Sequence, residues 1–115
     1  MQTRELIDLD HLEKYVAGDI ALRDEILSIF TDQAEMLMTQ FNVAQTDEGW
    51  KNTAHALKGA ARGVGAWALG DFCEEAEALI GAVPAKRENR SSMLVSIRQK
   101  LSESVEEAIR LRDAA

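Results

Sequence analysis

From Ile20 onward, apolar residues recur every three or four positions, the spacing of one buried helix face rather than the alternation of a strand. Leu22, Ile26, Phe30, Ala34, Leu37, Phe41 and Ala44 step this way, so a helix is expected from a cap at Asp19 to about Gln45. At 1.5 Å per residue it would reach about 40 Å and form the longest wall of the molecule. A shorter amphipathic run, Leu9 to Val16, precedes it and stops at Gly18. Thr46 or Asp47 can cap a third helix that ends near Gly63 and Gly65. A fourth follows with Leu69, Phe72, Ala76, Leu79 and Val83 as its stripe, broken by Pro84. After a polar connection, Asn89, Ser91 or Ser92 starts the last, with Leu94, Ile97, Leu101, Val105, Ala108 and Leu111 buried. The expected fold is all-α: an antiparallel up-down-up-down four-helix bundle with a short additional N-terminal helix over one end. Trp67 and the apolar residues of that short helix would act as lids.

The third helix carries the residue that does not fit a core. On a wheel of about 100° per residue, Ala54, Leu57, Ala61 and Val64 fall within about 40° of Trp50 and define its buried stripe. His55 lands about 140° away, between Lys58 at about 80° and Gly59 at about 180°. Lys51 and Arg62 fall at about 100° and 120° on the same count. A histidine on an exposed ridge, flanked by cations and by a missing side chain, is a candidate nucleophile.

Length and composition narrow the surroundings of that ridge. The chain has 115 residues, enough for one domain spanning 1–115. Its 13 basic and 20 acidic residues leave a net charge of -7, which disfavours nonspecific nucleic-acid binding and anionic membranes. Cys73 stands alone and can form no internal disulfide, consistent with a reducing compartment. The first residues show no apolar leader, and no apolar run approaches the roughly 20 residues needed to span a bilayer. A cytoplasmic location is expected.

On its own helix His55 has Lys51, Asn52, Lys58 and Gly59 as neighbours one turn away, with no carboxylate among them. That spacing disfavours a locally built triad or metal site. Lys51 and Lys58 instead disfavour an imidazolium and leave a ring nitrogen lone pair to attack phosphorus. The same cations can compensate an attached phosphoryl group. Glycine inside a helix costs about 0.5–1 kcal/mol relative to alanine, so Gly59 needs a reason. Beside His55 it keeps the turn uncrowded, and Ala56, Ala60 and Ala61 do the same. A plain solvated histidine on a helical adaptor remains the alternative at this point.

The run His55-Ala56-Leu57-Lys58-Gly59-Ala60-Ala61, with Gly65 ten positions after the histidine, resembles the signature of histidine-containing phosphotransfer (HPt) domains. The resemblance covers essentially the whole chain. It implies a phosphorelay intermediate: His55 accepts a phosphoryl group from a receiver-domain aspartyl phosphate and passes it to another receiver aspartate. Lys58 would stabilise the phosphoryl group or assist docking, and Gly59 would give access; Lys51 and Arg62, from their places on the helix wheel, are expected to dock an acidic receiver. The implied partners are receiver domains of a hybrid histidine kinase and of a response regulator. The chain would be a monomeric phosphoryl carrier rather than an autonomous enzyme, needing no cofactor because the receiver brings the Mg²⁺. The remaining candidates are blander. His11 is expected at the surface, Cys73 and Trp67 in packing, and Met36, Met38 and Met93 in the core or at its rim. Glu74, Glu75 and Glu77 read as a solvated helix face. Some family members carry a polar residue near the histidine on this neighbouring helix, but the charge of Glu77 would repel a phosphate.

Overall fold

The computed structural model describes residues 5–114; residues 1–4 and 115 of the expected domain lie outside the described residues. Five helices follow in order: α1 (Leu9–Val16), α2 (Ile20–Gln40), α3 (Asp47–Gly63), α4 (Trp67–Glu77) and α5 (Lys86–Asp113). Helix α2 lies against α3 and α5, and α4 closes the ring between α3 and α5. This is the order an up-down-up-down bundle requires of four helices joined by short connections.

Side-chain caps start the first three helices, those of α2 and α3 as expected and that of α1 in addition. Asp8 accepts from the His11 amide, Asp19 from the Leu22 amide and Thr46 from the Gly49 amide. The ends differ more. Helix α2 stops at Gln40 rather than near Gln45, because side chains take over the backbone groups beyond it. The Gln45 side-chain oxygen accepts from the Asn42 amide at 2.9 Å, and the Asn42 side chain accepts from the Ala44 amide at 2.8 Å. Helix α4 ends at Glu77, short of Val83. Helix α5 begins at Lys86, ahead of Asn89, and its 28 residues make it the longest wall in place of α2.

Tertiary anchors explain the early start of α5. Arg90 is only 3% exposed and donates to the carbonyls of Leu79 (2.9 Å) and Gln45 (3.0 Å) and to the Asp47 carboxylate (2.7 Å). Its guanidinium also lies 4.6 Å from the centre of the Trp50 ring, a cation–π contact. Lys86 reaches the same Asp47 carboxylate at 3.0 Å. A segment with a polar sequence is therefore held helical by what it grips.

The core runs along the bundle axis through Leu27, Phe30, Trp50, Leu57, Leu69 and Ile97. Burying each such side chain contributes about 1.5–3 kcal/mol. Trp50 satisfies its one polar atom by donating to the carbonyl of Ala76 at 2.7 Å, which fixes the last turn of α4 against α3. Cys73 is fully buried, as expected, and burial pushes its thiol up to about 12. Met38 and Met93 pack on the core, but Met36 is exposed, contrary to expectation.

Helix α1 is clasped to the α3–α4 turn. The Asp8 amide donates to the Gly65 carbonyl (3.0 Å), and Trp67 Nε1 donates to the Asp8 carboxylate (2.9 Å). Gly65 has φ of +77°, and a Cβ there would come within 2.8 Å of Asp8 Cβ. His11 is not a simple surface residue: it is half-buried, its ring edge-on to Tyr15 and Trp67 at 5.1 and 4.8 Å.

Candidate functional site

The stripe expected on α3 is the one observed: Trp50, Ala54, Leu57, Ala61 and Val64 are all buried. Burying that face turns the opposite one outward, and the His55 side chain is 72% exposed. Gly59 and Gly63 continue its ridge at i+4 and i+8, and a Cβ on either would meet nothing within 4 Å. The imidazole therefore projects from a ridge with no side chain beyond it.

The acid-free setting does not survive tertiary structure. Glu77, at the end of α4, lies across from His55 with one carboxylate oxygen 3.5 Å from His55 Nδ1. Its other oxygen pairs with Lys58 Nζ at 2.6 Å. The Glu77 side chain is only 17% exposed, so it is no part of a solvated face, although Glu74 and Glu75 are. Burial pushes its carboxyl up, but Lys58 and His55 outweigh that and hold it below the usual carboxylate range. The cationic setting expected beside His55 is thus a neutralised ion pair. A spacing signal for this existed: Leu69, Cys73 and Glu77 form one i, i+4 row, whose first two members are buried.

The remaining expected site residues divide. Gly59 and Lys51 are exposed on α3, as anticipated. Arg62 instead lies along α4, within 3.2 Å of Glu74 and 3.5 Å of Asp71. Its stem fills the space over Gly70, where a Cβ would come within 2.9 Å of Arg62 Cγ. Beside the glycine ridge, α2 and α3 form an apolar groove of about 210 Å³, lined by Ile26, Ile29, Phe30, Gln33, Gly59 and Ala60 among others. Leu22, Ile29 and Met36 are exposed along α2. Helix α2 thus supplies apolar surface beside the glycine ridge that carries His55. No helix among the described residues is long and apolar enough to cross a membrane.

Comparison with known proteins bears on this arrangement. The Hpt domain family matches residues 25–112, from within α2 to the last turn of α5. The chain belongs to the Hpt family. A crystal structure of the histidine phosphotransferase ShpA from Caulobacter crescentus is similar to it at 34% sequence identity with a TM-score of 0.60. That likeness covers 92% of this chain and 97% of the ShpA chain. Comparison with curated proteins finds no match. Hpt domains relay phosphoryl groups between receiver domains, so histidine phosphotransfer in a phosphorelay is the activity of this chain.

Proposed function

We propose that His55 is the phosphoryl carrier of this Hpt domain, shuttling between the receiver of a hybrid histidine kinase and that of a response regulator. The observation that carries this reading is its 72% exposed side chain on a glycine-bared ridge beside the Lys58–Glu77 pair. Nδ1 faces the Glu77 carboxylate and keeps its proton there, which leaves the lone pair on Nε2. Nε2 attacks the phosphorus of an aspartyl phosphate. The N–P bond forms as the P–O bond breaks, and the electron pair leaves with the aspartate carboxylate. In the onward step a second aspartate attacks phosphorus, and the N–P electron pair returns to Nε2. Such transfer is mainly positioning and charge compensation, so the receiver with its Mg²⁺ completes the site.

Each neighbour has a part in this reading. Lys58 compensates phosphoryl charge, and Gly59 lets the receiver rim approach. The α2 groove and the exposed Leu22, Ile29 and Met36 supply apolar contact area, with Lys51 and Arg62 attracting an acidic receiver. Arg62 must exchange Asp71 and Glu74 for the partner's acids, so Lys51 gives the larger share of that attraction. The chain works as a single-domain, cytoplasmic monomer.

The test is incubation with a receiver domain charged by labelled acetyl phosphate. Wild type should take up acid-labile label and His55→Gln none. Normal uptake by His55→Gln would overturn the assignment. A helical adaptor would instead bind its partner with no label transferred.

A further inference from the structure

We propose that Glu77 biases this carrier toward giving its phosphoryl group away, by competing with that group for Lys58. The inference rests on His55 being the phosphoryl acceptor. It adds a determinant of where the exchange comes to equilibrium.

Lys58 is the cation of α3 nearest to Glu77, and its ammonium is already engaged at 2.6 Å. Both side chains are only 17% exposed, so water screens this pair less than an open surface pair. Glu77 cannot readily withdraw. The residue before it, Ala76, has its carbonyl held by Trp50 Nε1 at 2.7 Å, which ties this turn of α4 to the core. Its carboxyl stays ionised at neutral pH, because Lys58 and His55 outweigh the effect of burial.

A phosphoryl group on nitrogen arrives with about two negative charges. In the unphosphorylated protein the Lys58 charge is satisfied by Glu77. After transfer, Lys58 either leaves Glu77 for the phosphoryl oxygens or stays and leaves them uncompensated. In both cases the phosphorylated state lacks one full ion pair that a neutral residue at 77 would allow. The transfer itself is the balanced exchange described above: Nε2–P forms as the aspartyl P–O bond breaks, and the reverse. Glu77 takes no part in either bond. It is a positioning residue acting through Lys58.

The test measures an equilibrium rather than a rate. A receiver domain that labels the wild-type chain is charged with acetyl phosphate, freed of excess donor and mixed with each variant at concentrations below the dissociation constant of the complex. The final division of label between aspartate and histidine then depends only on the free species, so altered docking does not move it. Glu77→Gln should shift the division toward phosphohistidine by about fivefold to tenfold, the worth of one partly shielded ion pair. In a Lys58→Met background the same substitution should shift the division by clearly less, because only the direct repulsion between Glu77 and the phosphoryl group is then relieved and no cation remains to compete for. Thermal melting of each variant establishes that it is folded. An unchanged division in Glu77→Gln, or an equal increment with and without Lys58, overturns the proposal. If wild type takes label and His55→Gln does not, either of those results leaves the carrier assignment standing and removes only the bias. If His55→Gln takes label as well, the carrier assignment falls first.

Discussion

Filling the bare ridge beside His55 should make the protein more stable and less able to transfer phosphate. A Cβ added at Gly59 would meet nothing within 4 Å, so no neighbour needs to shift. The residue lies in the interior of a helix that spans Asp47–Gly63 and shows no positive φ. Folding thus has no use for glycine here. Replacing it with alanine should stabilise the domain by about 0.8–1 kcal/mol, through helix propensity and the smaller entropy of the unfolded chain. For a domain near 100 residues, 1 kcal/mol corresponds to a rise in Tm of about 4 °C or more. Gly59→Gln should retain about half of that gain. It also places a long side chain one turn from the imidazole, where the receiver must bring phosphorus to about 3–3.5 Å from nitrogen. A misplacement of about 1 Å can cost a hundredfold, so transfer to Gly59→Gln should fall by about that factor or more. Thermal melting and single-turnover transfer from a phosphorylated receiver read the two effects separately. A loss of stability in Gly59→Ala, or a Gly59→Gln variant that transfers at the wild-type rate, would refute the reasoning.

Other positions give sharper structural tests. Gly65→Ala should destabilise by about 2 kcal/mol or more in a thermal melt, because φ is +77° and the new methyl would strike Asp8 backbone and side-chain atoms at 2.8–3.0 Å. An effect below about 0.5 kcal/mol would show that the Asp8 clasp is dispensable. Arg90→Met should cost about 2–3 kcal/mol, since it strips a buried donor from the carbonyls of Leu79, Val43 and Gln45, while the half-exposed Asp47 keeps Lys86 and the Gly81 amide; denaturant titration measures this, and a loss under about 1 kcal/mol contradicts it. Acid should destabilise the fold. The Trp67 hydrogen bond holds the Asp8 carboxyl low, and hydrogen bonds from the Gly81 amide and Lys86 do so for Asp47. Groups lowered by folding contribute stability above their unfolded values and lose it as pH falls through the folded ones. Stability should therefore hold from pH 8 to about 5 and decline below about pH 4, less steeply in Asp8→Asn; an equal decline in that variant would sink the assignment.

How much was legible before folding is best seen residue by residue. The three-and-four spacing around Trp50, Leu57 and Val64 placed His55 on the outside of α3, because a helix wheel depends only on the periodicity of one segment. Caps at Asp19 and Thr46 were readable for the same local reason, while the Asp8 cap of α1 came from the structure. The late end assigned to α2 and the late start assigned to α5 failed where local propensity was overridden. Asn42 and Gln45 close the α2–α3 loop on their own backbone, while Arg90 and Lys86 hold the first turns of α5 through Asp47.

What the sequence determined by itself, then, is the set of helices, their buried stripes and a histidine presented to solvent with Lys58 and Gly59 beside it. Those properties repeat every few residues and need no knowledge of the neighbouring helix. Tertiary structure alone decided that a carboxylate stands next to that histidine. Glu77 is brought to His55 and Lys58 by the register of α4 on α3, which the burial of Trp50 and its bond to the Ala76 carbonyl set. Tertiary structure likewise placed an apolar groove of α2 beside the glycine ridge, because the position of a groove depends on how two helices meet.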